Sequence, residues 1–264
     1  MAWLAQKRIV IIGGTTGMGL SAAHAFVREG ARVVVVGRNP ESVAAAQVAL
    51  GDAAHARVGD AAHEGTAATA IAQCEKIWGG FDGLYHVAGG SGRSFGDGPL
   101  HALTLEGWNK TLELNLSSLM LSNQAAVRAF QRNKTGGSIL NMSSVLGYSP
   151  SPEFFVTHAY AAAKAAVHGF TRSVAAYYAK DNIRINALAP ALVETPMAQR
   201  AANDARIQAF IHTKQPLDGG RMGRPQDLDG AAVYFMSDYA RFTTGQIFSV
   251  DGGWDVSEGQ LPPQ

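Results

Sequence analysis

The chain has 264 residues, 47% of them hydrophobic and 16% charged, with a formal net charge of +1. That composition suits one well-packed domain or two small ones, and a charge so near zero argues against a nucleic-acid partner or an anionic membrane surface. The single cysteine, Cys74, excludes an internal disulfide and fits a reducing cytoplasm, and no apolar run approaches the ~18 residues of a membrane helix.

The N-terminal MAWLAQKRIVIIGG enters a strand at once, without the h-region and cleavage site of a secretion signal. RIVII at 8–12 predicts a first strand and 17–29 a helix. RVVVV at 32–36 predicts a second strand, followed by a helix at about 40–50. HARV (55–58), GLYHV (83–87), SILNM (138–142), IRINAL (183–188) and QIFSV (246–250) predict five more strands. Helical stretches at about 62–78, 104–132, 158–180 and 225–237 lie between them. IVII and VVVV are continuously apolar, the pattern of strands covered on both faces. Strand–helix alternation of this kind predicts a parallel α/β sheet. With no Pro/Ser-rich linker and no internal repeat, residues 1–256 read as one domain. SEGQLPPQ at 257–264 reads as a tail, either disordered or docked onto a neighbour. Cys74 falls within a helix, as a small, partly buried hydrophobe rather than a nucleophile.

IIGGTTGMG at 11–19 stands where the first strand meets the first helix. Gly13 permits a tight turn, Gly17 a close approach of backbone to a pyrophosphate, and Gly19 close helix–strand packing. The helix N-terminus adds free N–H groups and the positive end of its dipole. Thr15, Thr16 and Met18 complete the expected cofactor turn.

THAYAAAKAAVHGF at 157–170 sets Tyr160 and Lys164 four residues apart in an alanine-rich run. Such a pair shares one helix face. It is either a solvated edge or a phenol whose proton affinity a nearby ammonium lowers. Spacing alone does not decide between them.

Taken together, G-x-x-x-G-x-G at 13–19, Asn115, Ser144, Y-x-x-x-K at 160–164, NALAP at 186–190 and DGG at 251–253 resemble the short-chain dehydrogenase/reductase family. The resemblance covers residues 8–254 and implies the compact single-domain type. It implies a doubly wound, Rossmann-like, seven-stranded parallel sheet with helices on both faces, and a nicotinamide cofactor. It also implies catalytic roles. Tyr160 exchanges a proton with a ketone or secondary alcohol. Lys164 lowers the tyrosine pKa and holds the nicotinamide ribose. Ser144 orients the substrate oxygen, with Ser143 as the rival hydroxyl. Asn115 holds a water that links the lysine to solvent through a local helix distortion; a mid-helix asparagine is otherwise unfavourable.

For the cofactor, Asp60 aligns beside the adenine, or it caps a helix. Ala88, Gly89, Pro190, Val193 and Thr195 align with residues around the nicotinamide and phosphates. At the end of the second strand a carboxylate would select NAD. Here Gly37 and Arg38 stand instead, so NADP(H) is favoured and NAD(H) remains the alternative. The usual Asn-Asn before Ala88 is His86-Val87, which removes polar side-chain bonds, and Ala191 follows Pro190 where Gly is usual.

Residues 191–221 correspond to a substrate lid. Tyr148, Phe154 and Phe155 either wall a pocket for a bulky apolar ketone or pack on another subunit. GGSGRSFGDG at 89–98 predicts a flexible rim with Arg93 facing solvent. His158 either touches substrate or does not, and His168 reads as packing. No His/Cys/Asp/Glu cluster has metal-ligand spacing. The function expected is NADP(H)-dependent hydride transfer to or from a small-molecule ketone or secondary alcohol, in a cytoplasmic homotetramer. The alternatives are an NAD(H)-dependent dehydrogenase of the same family or a catalytically silent nucleotide-binding regulator. An enoyl reductase is disfavoured, because that branch spaces its Tyr and Lys more widely.

Overall fold

Seven strands form one sheet in the computed structural model, which describes residues 2–261. They are β1 (Arg8–Ile12), β2 (Arg32–Gly37), β3 (Ala54–Val58), β4 (Gly83–His86), β5 (Gly137–Met142), β6 (Ile183–Pro190) and β7 (Ile247–Val250). Their order is β3-β2-β1-β4-β5-β6-β7, and every pairing is parallel. Because β1 pairs with both β2 and β4, the winding reverses there and opens a crevice at the carboxyl ends of the strands.

The helices are α1 (Gly17–Arg28), α2 (Pro40–Leu50), α3 (Gly65–Trp78), α4 (Leu105–Leu112), α5 (Ser118–Asn133), α6 (His158–Tyr178), α7 (Gln199–Ala202), α8 (Ala205–Lys214) and α9 (Asp229–Met236). Side chains alternate across each strand, so both faces must be covered. Ile9, Ile11, Val33 and Val35 pack with Phe26 of α1 and Phe235 of α9. Val10, Ile12, Val34 and Val36 pack on the other face with Ile71 of α3 and Phe130 of α5. All eight strand residues are buried, and each contributes about 1.5–3 kcal/mol relative to exposure. A third apolar cluster joins Phe154, Phe210 and Trp254 outside the sheet. No helix among the described residues is long and apolar enough to cross a membrane.

Local chemistry fixes the helix ends. Asn39 accepts from the N–H groups of Glu41 and Ser42 at 2.7 and 3.0 Å, with Pro40 opening α2. Asp204 caps α8 in the same way.

Five expectations change. The single helix at 104–132 is α4 and α5 joined by a π-turn over Glu113–Ser117. The helix expected from 62 starts at Gly65, because Asp60 and Thr66 close a loop: Asp60 accepts from Ala62 N–H, and the Thr66 hydroxyl donates to the Asp60 carbonyl. The 225–237 stretch is a 3-10 turn over Pro225–Leu228 followed by α9. Residues 191–221 hold two helices, α7 and α8, that no periodicity announced. As far as residue 261 the tail makes contacts with α8. Lys214 Nζ donates to the Ser257 carbonyl, and Gln260 N–H donates to Thr213 Oγ1 at 2.7 Å. Residues 262–264 of that expectation lie outside the described residues.

Candidate active site

The glycine turn is built without room for side chains. Gly13 has a φ of +86°, and a Cβ there would lie 2.6 Å from Ala88 N. A Cβ on Gly19 would lie 2.0 Å from the Gly13 carbonyl oxygen. Gly13 and Gly14 both donate their N–H groups to the Val36 carbonyl, which ties the turn to β2. Thr16 precedes α1 with no side-chain hydrogen bond to the helix, so the first N–H groups stay free for an anion. Gly17 faces Thr195, whose Cγ2 would sit 3.3 Å from an added Cβ.

A groove of about 760 Å³ runs over this turn. Gly13, Thr15, Thr16, Gly17, Met18, Arg38, Asp60, Ala88, Gly89 and Thr195, all expected at the cofactor turn or around it, line it, while Gly19 does not. At the end of β2, Thr15 occupies the space a side chain on Gly37 would take: a Cβ there would lie 2.1 Å from Thr15 Oγ1. Arg38 is exposed at the rim. Asp60 does not cap α3; its carboxylate closes the 60–62 turn instead.

A second cavity of about 240 Å³ adjoins the groove. Asn115, Ser144, Tyr160 and Lys164 all line it, together with Pro190 and Val193. Met18, Val87, Gly89, Thr195 and Met197 line both spaces, so the two are continuous. Ser144 follows β5 and its Oγ accepts from Leu146 N–H at 3.2 Å. Ser143 also borders the cavity, but its hydroxyl is engaged, donating to the Lys164 carbonyl and meeting His168 Nε2 at 2.6 Å. His168 is therefore a hydrogen-bonding partner and not merely packing.

The Lys164 ammonium is buried, 5.4 Å from the Tyr160 ring centroid, and donates to the Met142 carbonyl at 3.0 Å. Burial pushes its pKa down to about 8. The Tyr160 phenol is pushed up to about 12 by burial, against a smaller opposite effect of the Ser144 hydroxyl. The expectation was a depression by Lys164; the direction here is the opposite, its cause is desolvation of the phenolate, and the opposing influence is the Ser144 hydroxyl.

Asn115 sits in the π-turn, buried, and grips Gly90 twice. Its Nδ2 donates to the Gly90 carbonyl at 2.8 Å, and its Oδ1 accepts the Gly90 N–H at 3.2 Å. A Cβ on Gly89 would meet Asn115 Oδ1 at 2.7 Å and Lys164 Nζ at 3.7 Å, so both groups border one small space.

His86 recovers the polar bonding that the missing Asn-Asn put in doubt. Its Nδ1 lies 3.0 Å from Ser122 Oγ and its Nε2 lies 3.5 Å from Ser118 Oγ. Full burial, with the Lys164 charge adding to it, pushes its pKa down to about 3. The neutral ring is a sheet-to-helix tie.

Three residues around the cavity carry no sequence signal of their role. Asp97 is buried and accepts the N–H groups of Ala159 and Tyr160 at 2.9 and 3.0 Å. Those donors lie 62 and 63 residues away in sequence, beyond any local pattern. Arg93, expected on a solvent-facing rim, lines the cavity and donates to the Phe154 carbonyl, as does Arg200 of α7. Of the three aromatics, only Phe155 lines the cavity. Phe154 is buried against Phe210, and Tyr148 pairs its hydroxyl with Ser249. His158 is exposed and lies outside the cavity lining. Cys74 is fully buried, with its thiol pushed up to about 12 by burial.

A family model described as enoyl-(acyl carrier protein) reductase matches residues 13–255. The chain is 35% identical over 256 residues to a 2,5-dichloro-2,5-cyclohexadiene-1,4-diol dehydrogenase of Sphingobium indicum, covering 96% of this chain and 99% of that one. It is 32% identical over 252 residues to a cis-4-hydroxycyclohexanecarboxylate dehydrogenase of Sinomonas cyclohexanicum, covering 95% and 97%. Among solved structures, a short-chain type dehydrogenase/reductase from Mycobacterium ulcerans matches with a TM-score of 0.87 at 30% identity, covering 97% of this chain and 92% of that chain.

Proposed function

The chain belongs to the short-chain dehydrogenase/reductase family of oxidoreductases, and on that premise we propose an NADP(H)-dependent enzyme that interconverts a secondary alcohol and a ketone. One observation carries the reading: Ser144, Tyr160 and Lys164 line a single cavity that opens into the groove over the glycine turn.

The groove fits a dinucleotide, because the turn excludes side chains and α1 begins with uncapped N–H groups. Gly13, Thr15, Thr16, Gly17, Met18 and Gly19 would hold the pyrophosphate. Asp60 would flank the adenine, and Ala88, Gly89, Pro190, Val193 and Thr195 the nicotinamide half. Arg38 is exposed where a 2′-phosphate would lie, and no carboxylate ends β2 to repel it. Bound there, the nicotinamide supplies or accepts the hydride.

The side chains of this protein handle the proton. Ser144 donates a hydrogen bond to the substrate oxygen and aims it at Tyr160. In reduction, the Tyr160 phenol passes its proton to that oxygen; in oxidation, the phenolate takes it back. Burial keeps the phenol protonated and ready as the acid. The Lys164 ammonium offsets the phenolate charge that remains and would hold the ribose hydroxyls of the cofactor. Asn115 holds the π-turn against Gly90, and a water kept beside it would resupply Lys164.

Relatives that carry names for ring diols and ring hydroxy acids, and a cavity of about 240 Å³, support a single-ring secondary alcohol or its ketone as substrate. The same reading takes residues 191–221 as the lid over a single 1–256 domain, a homotetramer as the assembly, and the cytoplasm as the location. A screen of cyclic ketones with NADPH and NADH, followed by cofactor absorbance, tests it. Tight NADPH binding without turnover on any ketone would instead indicate a silent regulator.

A further inference from the structure

The cavity beside Tyr160 is lopsided in charge. No Asp or Glu lines it, and its charged residues are Lys164, Arg93 and Arg200. Arg93 comes from the rim after β4 and Arg200 from α7 of the lid, yet both donate through Nη2 to one acceptor, the Phe154 carbonyl, at 3.2 and 3.1 Å. Neither makes an ion pair among the described residues. The nearby carboxylates are already engaged: Asp97 with the N–H groups of α6, and Glu153 with Arg206 at 3.1 Å. Burial first, and next the Arg200 charge, push the Arg93 guanidinium below its usual value, with Asp97 acting the other way. Two cations held together against their repulsion, at an apolar cavity lined by Leu146, Phe155 and Trp254, form a preorganised anion receptor.

We propose that the substrate carries an anionic group, a carboxylate in the simplest case, which Arg93 and Arg200 hold while its hydroxyl or ketone faces Ser144 and Tyr160. This rests on the cavity being the substrate site, as in the preceding section. One planar anion can accept from both forks at once. It would replace the repulsion between them with two charge-assisted bonds and bridge the rim to the lid.

The test uses two unreactive probes, cyclohexanecarboxylate and its methyl ester, titrated calorimetrically into the full chain at low salt. The acid should bind more tightly by roughly tenfold or more, the usual scale of a hydrogen bond to a charged group. That advantage should shrink with added salt and collapse in Arg93→Ala and in Arg200→Ala. Arg200→Lys, which keeps the charge but loses the fork, should retain part of it. Thermal melts of each variant verify that it is folded. Equal affinity for acid and ester, no acid binding, or an advantage that survives both alanine substitutions would overturn the proposal. Because neither probe reacts, the result stands whatever the ketone screen finds. Turnover of neutral ketones without acid preference would leave the reductase reading intact and remove this one.

Discussion

Asp97 accepts the backbone N–H of Tyr160 at 3.0 Å, so a buried carboxylate in the rim loop sets where the helix bearing the phenol begins. The same carboxylate takes the N–H of Ala159, which leaves the first turn of α6 anchored from outside. A change at Asp97 should therefore reach the chemistry without touching the substrate. Loss of a capping residue costs about 0.5–2 kcal/mol. Asp97→Ala should lower the melting temperature and reduce kcat more than it raises KM, while Asp97→Asn, which keeps one acceptor, should recover much of both. Equal kcat in all three proteins would show that α6 holds its place without this cap.

Tyr160→Phe keeps the ring and loses only the hydroxyl. NADPH affinity should stay within a factor of about two, and turnover should fall by roughly 10²–10⁴-fold, the usual contribution of general acid–base catalysis. A variant with half the wild-type kcat would remove Tyr160 from the acid role.

Cofactor choice should respond to Arg38 and to the Thr15–Gly37 contact. Arg38→Ala should raise KM for NADPH about tenfold or more, the scale of one charged hydrogen bond, with little effect on NADH. Solvent at the rim favours the low end of that range. Gly37→Asp alone should fail to create an NADH site, because its Cβ would lie 2.1 Å from Thr15 Oγ1. The combination Thr15→Gly, Gly37→Asp and Arg38→Val should reverse the preference. Steady-state kinetics with both cofactors settle this, and a wild-type enzyme that prefers NADH refutes it.

His86 gives a pH signature of stability. Its pKa is near 3 when folded and about 6.5 when unfolded. Between those values the unfolded chain binds a proton that the native ring refuses, so stability falls as pH drops below about 6.5 and levels off near 3. The slope approaches about 1.4 kcal/mol per pH unit for one proton. Urea midpoints at pH 7 and pH 5 should differ more for wild type than for His86→Asn. Identical pH slopes in the two proteins would assign the acid sensitivity to other groups.

The assembly prediction is a particle of four 27.8 kDa chains. Light scattering at micromolar concentration checks it, and a monomer mass would refute it.

A parallel sheet covered on both faces was legible in the sequence, because IVII and VVVV are continuously apolar; its doubly wound form came with the family resemblance, and the strand order came only with the structure. The positions of Asn115, Ser144, Tyr160 and Lys164 in one cavity followed from motifs that carry their own spacing. The sequence was silent wherever partners are distant. Asp97 finds its donors 62 residues on, Arg93 and Arg200 meet at a carbonyl that belongs to neither segment, and His86 completes its bonds with serines 32 and 36 residues away. Helices α7 and α8 were missed for another reason. Their apolar residues, Ile207, Phe210 and Ile211, pack into a small satellite cluster rather than along the sheet, so they form no long amphipathic stripe.

The π-turn at Glu113–Ser117 bears on how this stretch tolerates changes of length. A π-turn is an α-helix carrying one residue too many. Deleting one residue between 113 and 117 would let α4 and α5 fuse into an unbroken helix with ordinary backbone bonds. The π-turn already takes up that extra residue in one widened turn, so the fused helix would keep α4 and α5 close to their present facing and leave Ser118 and Ser122 beside His86. What would be lost is the turn itself, and with it the hold of Asn115 on Gly90. The loop at 134–136 between α5 and β5, exposed and outside both cavities, carries no such contact. A deletion scan should therefore find a more regular, helix-richer protein that is inactive when the residue is taken from 113–117, and a working one when it is taken from 134–136.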